Sequence, residues 1–75
     1  MAAEPIPFNP SSHITGAAYD EDTQELAITF SGKSTYIYSG VTKDIADEFS
    51  AAGSAGSFLD SVIKKNPGQY PFRKA

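Results

Sequence analysis

Residues 32–34 of this 75-residue chain, Gly-Lys-Ser, are the stretch that most directly suggests chemistry. A phosphate-cradling loop ends in Gly-Lys-Ser or Gly-Lys-Thr and opens a helix, so that backbone N–H groups and the lysine surround the anion. That pattern needs a glycine at position 27, where the chain has Ala27, and the run that follows, Thr35-Tyr36-Ile37-Tyr38, is β-prone. The three residues are therefore read as the turn of a hairpin, with Gly32 free to take a positive φ. Asp20, Asp22 and Glu25 could be imagined around a calcium ion. The twelve-residue calcium loop would then place Glu25 at its turn glycine and Ser31 at its bidentate glutamate, so a solvated turn fits better. His13 is the sole histidine, and Gly53-Ser54-Ala55-Gly56-Ser57 sets its serine one place too early for a nucleophile elbow, between two helices instead of a strand and a helix. No catalytic residue, metal site or cofactor is expected, and the chain reads as a non-enzyme.

Two binding readings remain. Gly53-Ser54-Ala55-Gly56 has the spacing of the Gly-x-x-Gly loop with which KH domains clamp nucleic-acid backbone. It carries no Lys or Arg, however, and Asp47, Glu48 and Asp60 lie nearby in the sequence, so a helix stop with close helix approach is the simpler account. Tyr36 and Tyr38, two residues apart on a strand, share one face. They could stack on bases or anchor a protein partner, and they equally suit a small core, where each ring packs while its hydroxyl reaches the surface.

The elements that must position these residues follow from periodicity. Three prolines, Pro5, Pro7 and Pro10, make residues 1–10 a flexible or extended arm in which Ile6 and Phe8 alternate. His13 to Tyr19 reads as a first strand. Glu25 to Phe30 alternates Leu26, Ile28 and Phe30 against Ala27 and Thr29 and is a second; residues 33–38 are a third. Thr42 is placed to cap a helix carrying Ile45, Ala46, Phe49 and Ala52, which Gly53 stops. Ser54 or Ser57 caps a second helix with Phe58, Leu59, Val62 and Ile63 on one face, ended by Pro67. The expected fold is α+β: a three-stranded antiparallel β-meander followed by two short helices packed on one face of the sheet.

Composition narrows the setting. A domain of 75 residues buries roughly 60% of the surface its unfolded chain exposes, so its stability is modest. The chain has no cysteine and no apolar run near the length of about eighteen residues that spans a membrane, which together suggest a cytoplasmic protein. Net charge is −3 but unevenly placed. Residues 1–60 hold all nine acids against Lys33 and Lys43, a balance of −7, whereas residues 61–75 hold Lys64, Lys65, Arg73 and Lys74 and no acid, a balance of +4. Attraction to phosphate is confined to that basic end.

The tyrosine strand and its flanks resemble the KTSC family, a small domain found at the C-terminus of some lysyl-tRNA synthetases and as free-standing bacterial proteins. The resemblance runs from about residue 11 to 65. It rests on Ser11 or Ser12, Ile14, Tyr19-Asp20, the Leu26, Ile28 and Phe30 alternation, Gly32, Tyr36-Ile37-Tyr38, Gly40-Val41, Phe49, the run of Ala52, Ser54, Gly56, Phe58 and Leu59, and Ile63. Thr42 stands where the family commonly has proline, and Asp60 where asparagine is common. The resemblance implies residues 11–66 as the domain and 67–75 as a basic tail, in a bacterial or phage protein. It brings no established molecular function, and RNA binding is suggested by the synthetase context.

The expected function is a monomeric, non-enzymatic interaction module that binds a protein partner through the uncovered sheet face or the Gly53 to Phe58 corner. Candidate binding residues are Tyr36, Tyr38, His13, Lys33, Ser54, Gly56 and Phe58. The alternative is RNA or single-stranded nucleic acid stacked on Tyr36 and Tyr38, with Lys33, Lys64, Lys65, Arg73 and Lys74 on the phosphates.

Overall fold

Leu26, Ile28 and Phe30 alternate along the central strand of the sheet, and the remaining elements are arranged about it. In the computed structural model, which describes residues 3–9, 13–32, 34–66 and 68–75, this strand is β3 (Glu25–Phe30). β2 (Ile14–Asp20) pairs antiparallel on one side, with Tyr19 opposite Leu26, Ala17 opposite Ile28 and a bulge between Ile14 and Gly16. β4 (Thr35–Tyr38) pairs on the other, with Tyr38 opposite Leu26 and Tyr36 opposite Ile28. Directly opposed residues share a face. Tyr19, Leu26, Ile28, Tyr36 and Tyr38 therefore lie together, and Ala18, Ala27, Ile37, Gly16, Thr29 and Thr35 lie on the other face.

Local chemistry explains the turns. In the β2–β3 turn the Asp20 carboxylate accepts from the Asp22 and Thr23 amides at 3.0 and 3.4 Å, and Gln24 takes a φ of 57°. The acidic run is thus a side-chain-stabilised turn. The β3–β4 connection occupies residues 31–34 and is closed by the Phe30 amide on the Ser34 carbonyl, 2.8 Å. Gly32 does not use a positive φ; Gly40 does, at 74°, where the chain leaves β4. The longer loop removes the need for a primed two-residue turn.

Two helices follow. Thr42 caps α1 (Lys43–Ala51), its hydroxyl accepting from the Ile45 amide at 3.4 Å, and Ser54 caps α2 (Ala55–Phe58) through the Ser57 amide at 3.3 Å. The second helix continues as a π-helical segment, Leu59–Lys64. Ala46, Phe49, Leu59 and Ile63 are buried with Tyr19, Leu26, Ile28, Tyr38 and Val41 in one core, so both helices cover the tyrosine face of the sheet. Pro67, expected to end the helix, lies outside the described residues.

The sheet has five strands, not three, in the order β1-β2-β3-β4-β5. The N-terminal segment supplies β1 (Glu4–Pro5), which pairs with β2, and the C-terminal segment supplies β5 (Phe72–Lys74), which pairs antiparallel with β4. These strands of two and three residues, one containing a proline and the other two cations, are too short to show a period. Long-range contacts hold the N-terminal segment. The Ile6 amide donates to the Ala17 carbonyl at 3.0 Å, the Asn9 side chain donates to the Ala52 carbonyl, and the Phe8 ring lies 6.2 Å from that of Phe49. Phe49 is fully buried, with Phe58 6.1 Å away.

A Cβ on Gly40 would meet the Gln69 carbonyl oxygen at 3.0 Å, whereas a Cβ on Gly32 meets nothing within 4 Å. Gly40→Ala combines that contact with a left-handed backbone costing about 1–2 kcal/mol. It is expected to lower unfolding free energy by at least about 1 kcal/mol, while Gly32→Ala stays within about 0.5 kcal/mol of wild type. Paired urea titrations check both values.

Candidate binding pocket

Tyr70, Pro71 and Phe72 bring the chain back to β4 as an extended segment. Pro71 fixes φ and presses Tyr70 towards the extended region, so alternate side chains reach the helical side of the sheet. Tyr70 is buried, and its amide donates to the Asn66 carbonyl at 2.8 Å. Phe72 lies opposite Tyr38 and is 57% exposed, the one large apolar side chain so exposed among the described residues. Its ring centroid is 5.6 Å from that of Tyr36 and 5.8 Å from that of Tyr38, and Tyr36 in turn stands edge-on to Phe30 at 5.7 Å.

These rings wall a cavity of about 550 Å³ between the end of the π-helical segment and the outer two strands. Phe30, Tyr36, Tyr38, Tyr70 and Phe72 supply the aromatic surface, Ile63 the helical wall, and Lys64 the rim. The Lys64 ammonium is 5.1 Å from the centre of the Phe30 ring and 3.6 Å from an Asp60 carboxylate oxygen. Among the described residues no carboxylate or imidazole lines the cavity. Burial, reinforced by Tyr36 and Asp60, pushes the Tyr38 phenol above its ordinary value, so it remains a neutral hydroxyl at physiological pH. The space can receive an apolar or aromatic group, with hydroxyls and the Lys64 ammonium to orient it.

The structure gathers some of the residues singled out in the sequence and separates others. Tyr36, Tyr38 and Lys64 meet at the cavity, and Lys74 lies opposite Tyr36. Tyr38 is only 2% exposed, so the accessible rings for stacking are those of Tyr36 and Phe72. Arg73 projects to the other sheet face, where its guanidinium donates to Glu25 at 2.8 Å. Lys65 is exposed beyond the π-helical segment. His13 is exposed before β2 and does not line the cavity; Lys33 lies outside the described residues. Ser54 is a helix cap, Gly56 is buried in α2, and Phe58 is half-buried against Phe49. Sequence reasoning missed Phe30, Ile63, Tyr70 and Phe72 as lining residues. The signal for the last two was the alternation of Tyr70 and Phe72 about Pro71.

A second cavity, about 560 Å³, lies by β1, the β2–β3 turn and α1, where Glu4, Asp20, Glu21, Asp22 and Asp47 face Lys43. The Asp20 carboxylate is committed to its turn, and Tyr19 donates its hydroxyl to the Val41 carbonyl. Burial first, and then Glu21, Asp20 and Asp47, raise the Tyr19 phenol. Among the described residues no helix is long and apolar enough to cross a membrane.

Comparison with known proteins gives a consistent picture. The family model described as the KTSC domain matches residues 10–70. A protein of Tsukamurella paurometabola, described only as a protein, is 41% identical over 54 residues, 72% of this chain and 81% of that one. A crystal structure of a KTSC domain protein from Yersinia pestis is similar over 99% of both chains, with a TM-score of 0.85 and 38% identity.

The Glu25–Arg73 contact ties β5 to β3 across β4, and the hydrogen bond from Arg73 is the main cause holding the Glu25 carboxyl below its ordinary value. A carboxyl with a lowered folded-state pKa contributes fully above its unfolded value, and the contribution is lost as pH falls through the folded one. The β5 amides are therefore expected to exchange faster with solvent as pH drops below the usual glutamate range, after correction for intrinsic rates. Glu25→Gln should reproduce that loss at neutral pH. Hydrogen exchange read at Arg73 and Ala75 checks both.

Proposed function

The chain belongs to the KTSC domain family, and we propose that it is a small non-enzymatic interaction module that binds a protein partner by taking an apolar or aromatic side chain into the Tyr36–Phe72 pocket. The single observation that carries this reading is the aromatic cavity, with Phe72, the one large apolar side chain so exposed among the described residues, at its mouth. Such a ring beside a pocket has the character of an interface anchor, because aromatic side chains in desolvated pockets dominate binding energy. The lining supports binding over catalysis. Among the described residues its polar side chains are tyrosine and serine hydroxyls and the Lys64 ammonium, with no paired base and acid. The two surfaces expected from sequence fit this reading less well: the uncovered sheet face carries small residues and the Glu25–Arg73 pair, and Phe58 packs inward.

A second reading keeps the same pocket for nucleic acid. Lys64 and Lys74 flank Tyr36 and Phe72, which could hold a base between a ring and two cations. Arg73 is engaged on the other face and the whole chain is acidic, which favours the protein partner.

Peptides selected on the wild-type protein from a random display library, then titrated as synthetic peptides, are expected to carry a large apolar residue. They should bind Phe72→Ala tenfold or more weakly. Mixed single-stranded oligonucleotides are titrated in parallel at low salt. Oligonucleotide binding that falls steeply with salt and with Tyr36→Ala, with no peptide enriched over the Phe72→Ala protein, would replace the first reading by the second.

A further inference from the structure

The two edges of the sheet differ. β1 ends in Pro5, which has no amide to donate, and Pro7 follows, so that edge is blunted. β5 has no proline within it, and all three of its residues are exposed. The Ser39 amide donates to the Pro71 carbonyl and the Ala75 amide to the Thr35 carbonyl, each at 2.8 Å. Odd-numbered residues of this segment thus turn their backbone groups towards β4. By the alternation of an antiparallel ladder, the N–H and C=O groups of Phe72 and Lys74 point outward along the open edge. The side chains of those two residues stand on the face that holds the aromatic pocket. A chain laid along this edge could therefore form backbone hydrogen bonds and, from the same register, send a side chain into the cavity.

Charge identifies the occupant. Lys74 stands on the edge and Lys64, with Asp60 beside it, stands at the pocket rim, while Arg73 is engaged by Glu25 on the other face. A second copy pairing β5 to β5 would set these cations against one another, and like charges across a ladder are destabilising. A strand bearing carboxylates on the pocket side meets the opposite sign. We propose that β5 is a strand-addition edge for an extended acidic peptide segment of the partner, one of whose apolar side chains fills the Tyr36–Phe72 pocket. This rests on the pocket reading above and adds the backbone mode, the conformation and the charge of the partner segment.

Synthetic seven-residue peptides provide the probe: valine on either side of a central phenylalanine, glutamates outside these and threonine at both ends, with acetyl and amide termini, so that both carboxylates share the face of the phenylalanine. Titration followed by protein NMR should shift the Phe72 and Lys74 amides and slow their hydrogen exchange. Replacing both glutamates by lysine should weaken binding tenfold or more, and a central glutamate in place of the phenylalanine should abolish it. Lys74→Pro removes an outward donor while leaving the bonds from Arg73 and Ala75 to β4, so it should weaken binding tenfold or more beyond Lys74→Gln. Methylating peptide amides one at a time leaves the protein untouched: alternate positions should abolish binding and the intervening ones should not.

Loss of binding in Phe72→Ala together with indifference to Lys74→Pro and to every amide methylation would overturn strand addition and leave the pocket intact. Equal binding of the lysine-substituted peptide would overturn the acidic partner. Absence of shifts at millimolar peptide, or binding by oligonucleotides in its place, would overturn the proposal together with the pocket reading for these partners.

Discussion

The register between β3 and β4 is the constraint on which the other features depend. Setting Tyr38 opposite Leu26 and Tyr36 opposite Ile28 commits both tyrosines to the helical side of the sheet. A slip of one residue would exchange them for Ile37 and leave two rings in water. With the observed register, Tyr38 joins Leu26, Ile28 and Tyr19 in a floor on which Phe49, Leu59 and Ile63 pack. The uncovered face is left with Gly16, alanines, threonines, Ile37 and the Glu25–Arg73 pair, a surface that needs no second layer. Thr29 and Thr35 meet there through hydroxyls 3.1 Å apart, which reinforces the same register from the solvent side.

A chain of this size cannot leave its ends unused. Phe49 is fully buried, with Phe8 of the N-terminal segment and Phe58 of α2 packed beside it. The C-terminal segment closes the opposite side, where Tyr70 is buried and Arg73 reaches Glu25, 48 residues away. Exposed ion pairs of this kind add little stability by themselves. Their effect is positional: Arg73 on one face and Phe72 on the other fix which side of β5 each residue presents.

The sequence made the inner elements legible because each carries a periodic signal. Leu26, Ile28 and Phe30 announce a strand, Ile45 and Phe49 a helix, and Thr42 and Ser54 cap the helices as their hydroxyls suggest. The resemblance carried by Tyr36-Ile37-Tyr38 and its flanks led to the correct family. What could not be read was decided by pairing over long distances. Glu4–Pro5 and Phe72–Lys74 have no pattern that a window can detect, and their strand character comes from β2 and β4. The π-helical turn at Leu59–Lys64 was hidden for a related reason, since the apolar spacing of Leu59 and Ile63 serves an α-helix equally well. Candidate-site reasoning found Tyr36, Tyr38 and Lys64 but not their neighbours, because the pocket joins residues from three separated parts of the chain.

The position of that pocket follows from the mismatch between the sheet and its cover. Five strands spaced by about 4.8 Å span about 19 Å between the outer two, while the helical layer packs on the inner strands that hold Tyr19, Leu26, Ile28 and Tyr38. β5 lies beyond this cover, so Phe72 has rings beside it and no helix above it. At the same place the π-helical segment ends, and Lys64 crosses the gap to lie over Phe30 instead of an apolar side chain completing the layer. Filling the gap with another leucine would have extended the core at little cost in length. Exposed apolar surface persists here beside the sheet edge with the clearest outward donors and beside the basic end of an otherwise acidic chain. Backbone, apolar and electrostatic complementarity thus converge on one side of the molecule, and one C-terminal segment supplies most of all three.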